Sequence, residues 1–99
     1  LTLNTAAQNT AVGSLSLATN SSGANNTAVG YNTLNAISTN GNCTAIGFNA
    51  LALNTGANNT AVGSTALDSC TTGAQNTAVG TNALTTISTV SNTTAVGYN

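Results

Sequence analysis

The pentad Asn26-Thr27-Ala28-Val29-Gly30 returns along the chain as Asn9-Thr10-Ala11-Val12-Gly13, Cys43-Thr44-Ala45-Ile46-Gly47, Asn59-Thr60-Ala61-Val62-Gly63, Asn76-Thr77-Ala78-Val79-Gly80 and Thr93-Thr94-Ala95-Val96-Gly97. Its glycines stand at 13, 30, 47, 63, 80 and 97, so the steps are 17, 17, 16, 17 and 17 residues. Residues 1–99 therefore read as one repeat array. Complete units cover 9–25, 26–42, 43–58, 59–75 and 76–92, with partial units at 1–8 and 93–99. Starting without Met and in mid-pattern, the sequence points to a fragment or a processed segment.

A period of 17 is too short for a pair of helices with their turns, but it suits one coil of a β-solenoid. Thr-Ala-Val/Ile is short, alternating and partly β-branched, which predicts a strand. The glycines Gly13, Gly30, Gly47, Gly63, Gly80 and Gly97 close that strand at a corner, where positive φ or a close backbone approach excludes a Cβ. A second strand is expected over the Ala/Thr-Leu segment, as in Ala50-Leu51-Ala52-Leu53 or Ala83-Leu84-Thr85-Thr86-Ile87. A second corner is expected at Thr-Gly-Ala-Asn and its relatives. The predicted fold class is all-β, a parallel β-solenoid of about 17-residue coils.

Stacked units define an inside. The fourth position holds Val12, Val29, Ile46, Val62, Val79 and Val96, and the ninth holds Leu17, Leu34, Leu51, Leu67 and Leu84. Both columns are the expected core. A looser column near the twelfth position carries Ile37, Leu53, Cys70 and Ile87, with Asn20 as the exception. Asn9, Asn26, Asn59 and Asn76 form an expected amide ladder along the axis, as in other stacked β structures. Apolar burial per coil falls short of the entropy of ordering the coil, which favours partner chains. The all-Ala third column (Ala11, Ala28, Ala45, Ala61, Ala78, Ala95) is the expected contact of a homotrimer.

Composition narrows the function classes. The chain has no Lys, Arg or His and a single acidic residue, Asp68. Without basic side chains it has no means of displacing phosphate counterions, which argues against nucleic-acid binding. Its longest apolar run, Ala50-Leu51-Ala52-Leu53, is far below a membrane span, and the start lacks the features of a signal peptide. General acid/base work needs His, paired carboxylates or a tuned Lys, so no enzyme, catalytic residue, cofactor or metal site is expected. Asp68 reads as a solvated surface residue. Cys43 and Cys70 occupy different columns and are not expected to pair; Cys70 reads as a small buried hydrophobe. Tyr31, Phe48 and Tyr98 follow the Gly corner and are the candidate surface-binding residues, for stacking on sugars. The competing reading has them cover neighbouring coils. Asn20, Asn25, Asn42, Asn58 and Asn92 fit Asn-x-Ser/Thr, a pattern that an Asn/Thr-rich repeat generates cheaply.

Asn26 to Leu34 (Asn-Thr-Ala-Val-Gly-Tyr-Asn-Thr-Leu), Thr44 to Leu51 and the linking Thr-Gly-Ala-Asn-Asn-Thr resemble repeats of bacteriophage tail fibres, over nearly the whole chain. The resemblance implies a trimeric extracellular fibre, on a virion or a cell surface, that serves as a rigid spacer or receptor-binding shaft. Its implied partners are two further copies and a host-surface glycan or receptor. The pentad is also similar to head repeats of trimeric autotransporter adhesins, although the period is longer and the Ala-Val order differs. An ice-binding solenoid and a self-assembling extracellular filament are the remaining alternatives.

Overall fold

The computed structural model describes residues 4–99; Leu1, Thr2 and Leu3 of the leading partial unit lie outside the described residues. Its six strands are β1 (Thr10–Val12), β2 (Thr27–Val29), β3 (Thr44–Ile46), β4 (Thr60–Val62), β5 (Thr77–Val79) and β6 (Thr94–Val96). They lie side by side in sequence order as one parallel sheet. Thr pairs with Thr, Ala with Ala, and Val or Ile with its counterpart in every step. The fold is a β-solenoid with coils roughly 4.8 Å apart, the spacing of hydrogen-bonded strands.

Hydrogen bonds run along the axis in both directions from each coil. The Thr27 N–H donates onward to the Cys43 carbonyl at 2.8 Å, and the Gly30 N–H donates back to the Val12 carbonyl at 2.7 Å. The corner glycines all have positive φ, from +119° to +139°. At Gly30 a Cβ would also be driven into the Gly47 carbonyl oxygen of the next coil, so positive φ and close approach both act there. At the opposite corner the roles are divided. Asn25, Asn42, Asn58, Gln75 and Asn92 take the left-handed conformation, with φ between 60° and 62°. Gly73 serves close approach instead, because a Cβ there would collide with the Val90 carbonyl.

The strand interior differs from the sequence expectation. Side chains alternate along a strand, so Thr and Val share one face and Ala takes the other. The Ala face points inward: Ala28, Ala45, Ala61 and Ala78 are fully buried. Val12, Ile46, Val79 and Val96 are exposed, at 57%, 40%, 36% and 77%, and Val29 and Val62 are half-buried. The fourth column is thus an outer face and not core, and the third column is filled by its own coil and not held open for another chain. The physical reason is space. Leu17, Leu34, Leu51 and Leu67 are fully buried opposite the strands, with Leu84 packed partly against the cluster. A flattened coil that holds one Leu per turn leaves room for a methyl group across from it.

Among the described residues no second strand forms. Ser14–Thr19 and its equivalents are turns. Their seventh position (Leu15, Asn32, Asn49, Thr65, Asn82) and the ninth-position leucines all have positive φ, between 48° and 61°. Left-handed backbone at a bulky residue costs on the order of 1–3 kcal/mol, comparable with the roughly 1.5–3 kcal/mol that burying a Leu supplies. The N–H groups of the two left-handed residues point in opposite directions along the axis. Asn32 N–H donates back to the Ser14 carbonyl at 3.0 Å, and Leu34 N–H donates onward to the Ala50 carbonyl at 3.2 Å.

The twelfth column is also corrected. Leu53 is exposed, and its neighbour Asn54 is fully buried in register with Asn20, Ile37 and Cys70. Two buried amides in that column join the first-position Asn residues in a polar seam within the core. The first-position side chains bond to backbone and to side chains of the twelfth column, and not to one another. Asn59 Oδ1 accepts from the Asn76 N–H at 2.8 Å, while its Nδ2 donates to the Gly73 carbonyl at 2.7 Å and to Asn54 Oδ1 at 2.9 Å. Asn26 and Asn76 repeat the pattern, with Oδ1 accepting from the Cys43 and Thr93 N–H groups at 3.0 Å each. Among the described residues no buried side-chain nitrogen or oxygen is left without a partner.

Candidate functional site

The outer face of the sheet is an ordered array. Across it run the Thr column (Thr10, Thr27, Thr44, Thr60, Thr77, Thr94) and the Val/Ile column, about 7 Å apart along the strand and about 4.8 Å apart between coils. Flanking the Thr column is the left-handed Asn/Gln column Gln8, Asn25, Asn42, Asn58, Gln75 and Asn92, all exposed. Asn25 Nδ2 donates to Asn42 Oδ1 at 3.2 Å within it. The sequence signal for this column was an amide residue directly before each pentad. The result is an uncharged surface that presents amides, hydroxyls and methyl groups in rows.

Beyond the Gly corner stand the aromatic residues. Tyr31 and Phe48 are exposed and stack on each other, with centroids 5.5 Å apart and planes at 13°. Each ring therefore spends one face on its neighbour, an arrangement that covers adjacent coils and leaves the ring edges to solvent. Tyr98, on the last coil, is exposed at 78% and is not part of the stack.

The groups with the strongest intrinsic chemistry are dispersed. Asp68 is half-buried in the turn after β4, where its carboxylate accepts from the Ser69 hydroxyl at 3.2 Å. Among the described residues no group of three His, Cys, Asp or Glu side chains could hold a metal ion. Cys43 and Cys70 are free and fully buried. Cys43 replaces a seam Asn and takes over its contacts: Sγ donates to the Gly56 carbonyl at 3.4 Å and accepts from Asn54 Nδ2 at 3.6 Å. Its thiol thus lies inside its own coil stack, away from the surface. Burial pushes both thiols up from their ordinary value.

Of the Asn-x-Ser/Thr positions, Asn20 is buried in the seam, with Nδ2 donating to Asn4 Oδ1 at 2.7 Å and to the Gly23 carbonyl at 2.9 Å. Asn25, Asn42, Asn58 and Asn92 lie on the exposed Asn/Gln column. No family model, curated protein or solved structure matches the chain.

Proposed function

We propose that this chain is a non-catalytic structural segment of an extracellular fibre, of the kind that phage tail fibres and related surface adhesins build. It acts there as a rigid, uncharged shaft. In-register stacking of the coils carries this reading: the fold grows by repetition along one axis, and every coil offers its neighbours the same hydrogen-bonding edge. The outward Val/Ile column supports assembly into a homotrimer, since a continuous apolar row on an uncharged surface is what a parallel partner would cover. The contact is then made by Val12, Val29, Ile46, Val62, Val79 and Val96, and not by the interior alanines. Ile46→Lys places a charge in that contact without touching the core. Light scattering should give a trimer for the parent chain and a folded monomer for the variant; a stable parent monomer sinks the trimer.

A second reading rests on the same face. Rows of Thr hydroxyl and Val methyl groups on a fixed two-dimensional spacing are the kind of surface that could order water as an ice plane does. The two readings exclude each other, because a face covered in a trimer is not free for ice. Thermal hysteresis in a monomeric sample would favour the second.

A further inference from the structure

Between the six pentad glycines the period of 17 is broken once, and the missing residue lies at the polar corner of the third complete coil, the one short corner with a full coil on each side; the leading Asn4-Thr5-Ala6-Ala7-Gln8 is equally short. Ile37-Ser38-Thr39-Asn40-Gly41-Asn42 and Cys70-Thr71-Thr72-Gly73-Ala74-Gln75 flank the shorter Asn54-Thr55-Gly56-Ala57-Asn58. At the full corner of the first coil the Ser21, Ser22 and Gly23 N–H groups donate to the Ser38 carbonyl, at 2.9, 3.0 and 3.2 Å, and at that of the fourth the Thr71 and Gly73 N–H groups donate to the Ser88 carbonyl, at 2.8 and 3.3 Å. In the short one the adjacent Thr55 and Gly56 N–H groups donate to the Thr71 carbonyl at 2.6 and 3.1 Å, with no residue between them. The coil keeps its core position and draws back at its apex. A cleft of about 440 Å³ opens between its neighbours, with Ser38 to Asn40 on one wall, Thr72 and Ala74 on the other, and Thr55 to Ala57 as the floor.

The lining specifies a chemistry. Hydroxyls come from both walls and the floor, an amide from Asn40, and small apolar surfaces from Gly56, Ala57 and Ala74. The Asn40 amide donates from its wall to the Thr55 carbonyl in the floor. Thr39 and Thr72 stand on opposite walls, and among the described residues their hydroxyls make no hydrogen bond inside the chain. Each can donate and accept toward a guest. No charged side chain lines the cleft, so an ionic ligand would lose hydration there without a counter-charge. The volume lies within the roughly 300–1,000 Å³ typical of small-molecule sites. A ring with a hydroxyl rim and a C–H face matches this mixture of donors, acceptors and methyl groups.

We propose that the cleft at the short corner binds a neutral saccharide, seating a single pyranose ring between Thr39 and Thr72 over Gly56 and Ala57. The biological role of the site, as the point where a fibre meets a glycan, rests on the fibre reading above; its geometry does not.

The test is a titration of the full chain with methyl α-glucoside, methyl α-galactoside and methyl β-N-acetylglucosaminide, followed through backbone amide NMR shifts. With at least one probe, Thr39, Gly56, Ala57 and Thr72 should shift saturably, with a Kd on the order of 1 mM. Inserting a Ser between Thr55 and Gly56 restores the spacing of Asn20-Ser21-Ser22-Gly23-Ala24-Asn25, a corner the fold already contains, and fills the cleft. That variant should keep its dispersed spectrum and lose the saturable shifts. Thr72→Val, which keeps the shape and removes one hydroxyl, should weaken binding about fivefold. Absence of saturable shifts for all three probes, or equal binding by the insertion variant, overturns the proposal. Light scattering on the same samples separates the two readings: a monomer with saturable cleft shifts ends the trimeric fibre and keeps the site, and a trimer without them does the reverse.

Discussion

At Gly30 the backbone has φ +129°, and the place where a Cβ would stand is taken by the Gly47 carbonyl; at Gly97, with φ +137°, nothing lies within 4 Å of that place. The two positions separate backbone strain from collision. Gly97→Ala should cost about 1–3 kcal/mol, the strain alone, and Gly30→Ala should cost clearly more, read as the difference in urea midpoints. The buried seam gives a second comparison. Replacing Asn59 by Leu leaves the Asn76 N–H without a partner and the Gly73 carbonyl with only the weak Cys70 thiol donor at 3.6 Å, at roughly 1–3 kcal/mol for the orphaned N–H. Gln75→Ala, on the exposed column, should fall within about 0.5 kcal/mol of the parent. The thiols set a pH dependence. Burial raises both Cys43 and Cys70 above the ordinary thiol value in the fold, so between the unfolded and folded values the unfolded chain has released protons that the fold retains. Stability is then fully present below the unfolded value of about 8.5 and declines as pH rises beyond it. Urea midpoints at pH 7 and 9.5 should differ, and Cys43→Ala/Cys70→Ala should reduce the difference.

Each coil is one three-residue strand, two corners and a turn segment with paired left-handed residues. Asn tolerates left-handed backbone better than a β-branched residue does. Thr65 has φ 56° where Asn32, Asn49 and Asn82 occupy the same column. Thr65→Asn should therefore raise the melting temperature, with a gain of about 0.5–1 kcal/mol, and its amide can repeat the Asn32 to Asn49 bond of 2.9 Å. Period, strand positions and Gly corners were legible because glycine and β-branched residues report local backbone directly. The buried leucines were legible from their recurrence. Which strand face pointed inward was not, because Thr-Ala-Val alternates with two faces of similar apolarity and hydropathy favours burying Val. The width available beside the leucines decided otherwise. The left-handed leucines hid for a related reason, since nothing local favours that backbone at Leu; packing imposes it. The short unit was visible as a step of 16, but only the neighbouring corners turn the missing residue into a cleft.

The solenoid has a Cα radius of gyration of 11.4 Å and extents of 34 × 23 × 17 Å. Small-angle scattering should return a value near that radius for a monomer and a substantially larger one for a trimer. With no cation and a single carboxylate in the sequence, the fold has almost no Coulomb energy for added salt to screen. Its unfolding midpoint should not shift as the ionic strength is raised from 10 to about 150 mM NaCl, over which the Debye length falls from about 30 to 8 Å. The axial direction of the hydrogen bonds has a mechanical consequence. Tension applied between the two ends loads the coil interfaces in series, and each interface that yields frees about 17 residues of chain. One release lengthens the molecule by roughly 50–56 Å, from a contour of about 3.3–3.6 Å per residue less the coil spacing. Pulling across the axis shears several bonds of one coil together and demands a higher force, so the rod is weakest along the line in which it grows.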